Sequence, residues 1–342
     1  MLRYAARRIL LMIPTFVGVT FIAFLIMHLA PGDPVEMYFH GGLAAGVQGA
    51  SPERLAEIQR AKQQERHRLG LDRPLPVQYA IWFERLVTLD LGESFKDRRQ
   101  VWDKIRERLP VTMALNVISL VITYLIAIPL GIYSSVRPRS WLDSIMTTAV
   151  FMLYSLPSFW VGTLILIYFC GGDYFLWFPP AGLHSLDYES SWPVWRRLGD
   201  YGWHIAMPVL CETYAAFAAL SRYMRSSMLE NALQDYVRTA RAKGLPEHVV
   251  VLKHILRNSL IPMVTLLADL LPSLVGGSLI VETIFSVPGI GQLGYQAVLA
   301  RDYPVVLGLF AISSALTLVG ILIADLLLAV VDPRISFAAV ER

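Results

Sequence analysis

The chain has 342 residues, 55% of them hydrophobic and only 17% charged, with a formal net charge of +3. A soluble protein of this length would carry about a quarter charged residues, so the composition excludes an ordinary soluble enzyme and describes a polytopic membrane protein. The small net charge gives no reason to expect nucleic acid as a partner, and the two cysteines, Cys170 and Cys211, fit no metal spacing and no disulfide framework; they read as small apolar fillers.

The N-terminus, MLRYAARRIL, leads into an apolar run ending near Ala30. That run is about twice as long as the apolar core of a signal peptide and no clear cleavage site follows, so it reads as a retained first span. The next segment, 31–110, is the one long extramembrane stretch. It opens on a Pro-Gly-Asp-Pro turn, Pro31 to Pro34, followed by a small-residue stretch, GGLAAGVQGAS. A charged amphipathic helix is predicted over 52–69, with Ser51 as N-cap and Pro52 at its first position. Tyr79, Trp82, Phe83 and Phe95 point to a folded patch or an interfacial anchor.

About twenty apolar residues cross a bilayer core as a helix. Six segments are predicted to do so: 9–30, 111–135, 144–169, 203–221, 259–284 and 305–331. Prolines at 14, 129, 157, 208, 262 and 272 fall within or at the ends of spans, where packed membrane helices tolerate them. Basic residues gather in alternate short loops: Arg3, Arg7 and Arg8 before span 1, Arg137 and Arg139 between spans 2 and 3, and a run from Arg222 to Arg257 between spans 4 and 5. By the positive-inside rule both termini and the 222–258 segment are cytoplasmic. Trp141, Trp177, Trp192, Trp195 and Trp203 lie near span ends, as interfacial anchors do.

The basic segment between spans 4 and 5 carries the clearest local signal. DYVRTARAKGLPEHVVVLKHILRNSLIP, Asp235 to Pro262, reads helix, break, helix. Gly244 suits the position just past a helix end, Pro246 the first turn of the next helix, and Glu247 its positive dipole end. Topology alone explains the charge but not this punctuation, nor the apolar face of Val249, Leu252 and Leu256 on the second helix. A DNA-reading helix pair would look alike, but one clamped between two spans has little freedom to enter a groove.

RTARAKG, with Pro262 eighteen residues after its glycine, resembles the EAA loop of ABC importer permeases. In that pattern Glu-Ala-Ala falls at Arg238, Thr239 and Ala240 and the family glycine at Gly244. The chain departs at the glutamate and carries Arg257 where many members have proline, but Thr-Ala-Arg-Ala-Lys-Gly is the form of the peptide permease branch. APGDP (30–34), LGLDRPLPVQY (69–79), LDLGESF (89–95), VETIFSVPGIGQLG (281–294), RDYPVV (301–306) and DPRI (332–335) extend the resemblance to oligopeptide and dipeptide permeases over nearly the whole chain. CGGDYFLWFPPAGL, GDYGWHIAMPVL and DPRISF resemble the YejB-type group, linked to oligopeptide and microcin C-like uptake.

The resemblance implies an all-α membrane protein of the type I ABC importer permease fold, with six transmembrane helices and an external domain between helices 1 and 2. It implies residues 1–30 as tail and first helix, 31–110 as a periplasmic insertion, 111–335 as the core with its coupling loop at 222–258, and 336–342 as a cytoplasmic tail of a bacterial inner-membrane protein. The coupling residues would be Arg238, Thr239, Ala240, Arg241, Ala242, Lys243, Gly244, Leu245 and Pro246. Expected partners are a second, homologous permease, two ATPase subunits, an external peptide-binding protein, the peptide and membrane lipid. The chain has no Gly-x4-Gly-Lys-Ser/Thr loop, so ATP and Mg²⁺ belong to the ATPase partners, no cofactor is expected on this chain, and it is not expected to be an enzyme.

Acids inside apolar sequence mark either a path or a structural bond. Glu212 and Asp269 are open to both readings; Glu282 and Asp325, near span ends, read more simply as structural, although Glu282 also stands as a candidate for the path. VPGIGQLG, Val287 to Gly294, is no phosphate loop and reads as a re-entrant external turn, with its glycines also available for close packing. His28, His204 and His254 have no ligand spacing, so no metal site is expected. A rival reading is a proton-coupled secondary peptide transporter with Glu212 and Asp269 as relay groups; an intramembrane enzyme would need a nucleophile, base or metal cluster that the sequence does not offer.

Overall fold

The computed structural model describes residues 2–29, 35, 52–68, 70–171, 174–268 and 270–331. The Pro31–Pro34 turn, the small-residue stretch after it, Ser51, Asp269, the DPRI segment and the C-terminal tail lie outside these. Among the described residues the chain is helical, with one isolated antiparallel bridge, Glu93 to Gln100, and no other strand pairing.

Apolar runs set where helices cross, but caps and turn residues set where they end, so several helices outrun the predicted spans. Span 1 lies in Leu2–Leu29. Span 2 lies in Val101–Val136, 36 residues long, which begins ten residues before the apolar stretch. At 1.5 Å per residue that is about 54 Å, well beyond a hydrocarbon core of about 30 Å. By length and composition four helices among the described residues qualify as spans: Ala6–Leu29, Val101–Val136, Glu247–Leu266 and Tyr303–Ile323. A fifth candidate is broken. Trp141–Ser155 and Ser158–Cys170 meet at 95°, because Pro157 has no N–H to continue the first helix and Leu156 turns extended ahead of it. The segment 144–169, read as one span, is therefore two helices. The expected fourth span sits inside Val194–Ala232, the longest helix at 39 residues, but His204, Pro208 and Glu212 dilute it and it is not among those that qualify.

The chain divides into two compact units. The first comprises 1–110 and 293–318, so the 52–110 segment shares a unit with the first helix instead of closing on itself. The aromatics flagged in the sequence form its packed patch: Tyr79 meets Phe24 edge-on, Trp82 lies tilted against the same ring, and Tyr79 donates to the Val17 carbonyl at 3.1 Å. In the same unit Asp302, 1% exposed, accepts from the Ser94 hydroxyl and from the Phe95 N–H at 2.8 Å. Lys104 bridges Ser94 (3.0 Å) and Asp97 (2.8 Å). These bonds join RDYPVV to LGESF.

The second unit comprises 111–292 and 319–342 and holds two apolar clusters. In it Val101–Val136 crosses Val194–Ala232 at Gly131, where a Cβ would lie 2.5 Å from that of Met224. Backbones this close need a residue without a side chain. Cys170 and Cys211 are both buried and free.

Candidate functional site

The 222–258 segment is helical nearly throughout. Val194–Ala232 runs eleven residues past the expected span end, Asp235–Ala242 forms a short crosspiece, and the returning arm starts at Glu247 and continues into Leu256–Ala268. Gly244 has φ +73, the left-handed conformation in which only glycine is free of Cβ strain. The Gly244 N–H bonds the Arg241 carbonyl (2.9 Å) and the Leu245 N–H that of Ala240 (3.4 Å). This paired closure is a Schellman turn, and it satisfies two of the helix's terminal carbonyls. Pro246 differs from expectation by one position: it is the N-cap of the returning arm, with its carbonyl accepting from Val249 and Val250, and Glu247 is the first helical residue.

Across the turn, the Arg241 guanidinium grips the Glu247 carboxylate with contacts of 2.6 and 3.2 Å, which holds Arg241 still more firmly in its charged form. An exposed pair of this kind is worth about 1 kcal/mol at most; its value is in fixing the angle between the arms.

The root is rigid. Val237 and Ala240, one turn apart, are the two buried residues of the crosspiece and pack with Met224, Met228, Val250, Val251 and Ile255. The Ser227 hydroxyl donates to the Ser259 carbonyl at 3.2 Å, and the Ser259 hydroxyl is shared between the Ser227 carbonyl (3.2 Å) and the Ile255 carbonyl of its own helix (2.9 Å), which ties the outgoing arm to the returning one. Val250–Ile255 is π-helical, so the returning arm has two apolar faces. Val250, Val251 and Ile255 face the root, while Val249, Leu252, Leu256 and Leu260 line an open groove of about 510 Å³ edged by His248, Lys253 and Arg257. Of the nine residues from Arg238 to Pro246, all except Ala240 are exposed. The sequence marked Leu252 as part of an apolar face; the structure shows that this face turns outward.

The acids diverge. Glu282 has no exposed surface. Its Oε1 accepts from the Thr112 hydroxyl at 2.9 Å, its Oε2 from the Gln292 N–H at 2.8 Å, and Thr112 in turn accepts from the Ile290 N–H at 2.8 Å. Glycines form the cage: a Cβ on Gly289 would sit 2.3 Å from the Glu282 carboxyl carbon, and one on Gly277 2.6 Å from Oε1. VPGIGQLG thus folds around a carboxylate 170 residues from its Thr112 partner, a contact that no local pattern reveals. Glu212 is only half satisfied. Its Oε2 accepts from Ser119 at 3.1 Å, and its Oε1 is buried without a hydrogen-bond partner among the described residues. Asp269 lies outside the described residues, and the side chain of Asp325 is likewise not described. Among the described residues no cluster of three His, Cys, Asp or Glu stands at metal-binding range.

These features meet in the comparison with known proteins. The model of the family described as "Binding-protein-dependent transport system inner membrane component" matches residues 127–337, and that of its N-terminal region matches 1–116. The chain belongs to this family. It is 38% identical over 338 residues to the oligopeptide transport system permease protein AppB of Bacillus subtilis, covering 98% of this chain and all of that protein. The peptidoglycan transport system permease protein YejB of Agrobacterium fabrum is 34% identical over 365 residues, 98% of each chain. The dipeptide transport system permease protein DppB of Escherichia coli K12 is 34% identical over 350 residues, 98% of this chain and 99% of its own. The chain is an ABC permease component and a multi-pass protein of the bacterial inner membrane.

Proposed function

We propose that the chain is one half of the membrane channel of an ATP-driven peptide importer, with the 222–258 hairpin as its mechanical input. It would pair with a second, homologous permease, dock two ATPase subunits that hold ATP and Mg²⁺, and take peptide from an external binding protein. Peptide as cargo rests on the names of the relatives; oligopeptides, and microcin C-like antibiotics on the strength of the YejB-type motifs, are the narrower form of the reading. The six-span count restores 203–221 as the fourth crossing, with 31–110 external, both termini cytoplasmic and 111–335 as the core.

One observation carries the coupling role: the hairpin is exposed at its crown and rigid at its root. Arg238, Thr239, Arg241, Ala242, Lys243, Gly244, Leu245 and Pro246 offer a charged surface with an apolar groove beside it, while Ala240 and the Ser227–Ser259 exchange bind it to two membrane helices. A push on such an element moves those helices as a body instead of bending the turn, as alternating access requires. On this reading Glu212, with a buried oxygen that has no partner among the described residues, is the stronger candidate for meeting a peptide ammonium on the path, and Glu282 holds the turn in shape.

The test is uptake of a labelled peptide by the reconstituted transporter. Uptake should need ATP, survive collapse of the proton gradient, and fall with Gly244→Val while the ATPase subunits remain active. Uptake that persists without ATPase and dies with the gradient would establish the proton-coupled alternative.

A further inference from the structure

A cavity of about 280 Å³ opens between the C-terminal part of Val101–Val136, the helix Trp141–Ser155, and Val194–Ala232 just beyond the expected fourth span. Leu130, Met146, Val150 and Leu229 contribute apolar walls, and Arg222 and Arg225 supply positive charge. Three and four residues apart are neighbours on a helix surface, so both arginines reach the same opening.

Their states differ. Arg225 donates to Asp143 at 3.0 Å, and the same carboxylate accepts from the Arg139 N–H at 2.9 Å. That acid, 3% exposed, is consumed. The Nε of Arg225 is buried and finds no hydrogen-bond partner among the described residues. Arg222 lies over the Phe151 ring, 4.2 Å from its centroid, and no carboxylate pairs with it among the described residues. With Arg225 offset by Asp143, the cavity keeps one uncompensated cation beside apolar walls and a buried donor without an acceptor. Arg137 and Arg139 follow Val101–Val136 at the same end of the helices, where the chain leaves its apolar stretch.

We propose that this cavity binds the phosphodiester headgroup of an anionic phospholipid: Arg222 and the Arg225 Nε–H meet the phosphate, and the apolar walls take the start of an acyl chain. One net positive charge matches one phosphodiester, and a basic pocket between membrane helices near a headgroup layer is where such lipids are held. A free anion would gain nothing from Leu130, Met146 and Val150, whereas a lipid uses both halves of the cavity. The proposal requires only that the chain lie in a membrane, and it is independent of what the protein transports.

The experiment uses the full chain, purified with its companion subunits, and measures retained lipid by native mass spectrometry and the melting midpoint in nanodiscs. Phosphatidylglycerol is compared with phosphatidylcholine, and inorganic phosphate with both. Wild type should retain phosphatidylglycerol preferentially and melt higher in it. Arg222→Gln should bind phosphatidylglycerol roughly five-fold more weakly, the share of one basic residue near the surface. Val150→Trp, which fills the cavity and leaves both arginines, should abolish the preference. Both variants should match wild type in phosphatidylcholine, which shows that they fold; Arg225 is left intact because it holds Asp143. Equal retention of the two lipids, or an unchanged preference in Arg222→Gln, overturns the proposal. Inorganic phosphate reproducing the full shift and displacing the lipid would make the ligand a free anion and overturn it as well.

Discussion

Replacing Glu282 by glutamine should cost far more than the same change at Glu212, although both are acids in apolar sequence. At Glu282 the two carboxylate oxygens accept from Thr112 and from the Gln292 N–H. A glutamine can keep its oxygen on the Gln292 N–H and turn its NH₂ to the Thr112 hydroxyl, which has a second lone pair to accept with, but both contacts then become neutral ones and the Thr112 proton must turn away. A hydrogen bond to a charged group contributes about 1.5–3 kcal/mol against about 0.5–1.5 kcal/mol for a neutral one, so weakening both comes to about 2–3 kcal/mol. The glycine cage leaves no room to swing away, with Gly289 and Gly277 at contact. At Glu212 the amide oxygen can still accept from Ser119, and the new NH₂ takes the place of an oxygen that has no partner among the described residues, so stability should change by less than about 0.5 kcal/mol. Thermal unfolding of the purified chain, with hydrogen exchange read over Val287–Gly294, measures the difference. Glu282→Gln should lower the midpoint by several degrees and deprotect the turn, whereas Glu212→Gln should do neither and should reduce peptide uptake. Equal melting shifts for the two variants would refute the assignment of structural and path roles.

At Gly244 the space is open, with nothing among the described residues within 4 Å of an added Cβ, so substitution acts through torsion alone: Gly244→Asn should keep most peptide uptake, while Gly244→Val, strained by about 1–2 kcal/mol, should lower it several-fold and lower the melting midpoint by only a few degrees. The Ser227→Ala and Ser259→Ala single variants should each lower the melting midpoint, and the double variant should fall by about their sum, because each change removes a different donor and leaves both carbonyls in place. Burial alone would push the Asp200 carboxyl up, but the Ser185 hydroxyl, the His184 ring and the Ser185 N–H hold it below its ordinary value of 3.8. A depressed carboxyl stabilises above its unfolded value and loses that contribution as pH falls through the folded one. Exchange protection of the Ser185 N–H should thus be flat from neutral pH to about 4 and drop below it, with Asp200→Asn removing the step.

What the sequence made legible was local. The turn at Gly244 could be read because a left-handed residue, its closing bonds and the next helix's cap all lie within a few positions. The crossings at 9–30 and 111–135 were legible because hydropathy reports lipid contact directly. Helix ends were less so: Val101 and Glu247 start their helices in polar sequence, where turns and caps outweigh apolarity. Pro157 looked like a tolerated proline, yet with Leu156 extended before it the helix turns by 95°. The Glu282 site escaped for a different reason. Its partners, Thr112 and the Gly277–Gln292 segment, meet only after packing, and from the chain alone its glycines could equally have served helix contact. Likewise the pattern of Val249, Leu252 and Leu256 identified an apolar face but not its direction, which the π-helical turns of Val250–Ile255 set.

The most direct test of the coupling role is a cross-link from the crown of the hairpin. Both native cysteines are buried, so a thiol introduced by Lys243→Cys or Arg238→Cys would be the accessible one among the described residues. In inner-membrane vesicles containing the companion subunits, a short bifunctional maleimide should join each of these positions to an engineered cysteine on the ATPase subunit, with a yield that changes on adding ATP. Asp187→Cys, in a loop that the proposed topology puts on the opposite side, should give no such product. Absence of any cross-link from the crown, in vesicles that still import peptide, would contradict the account.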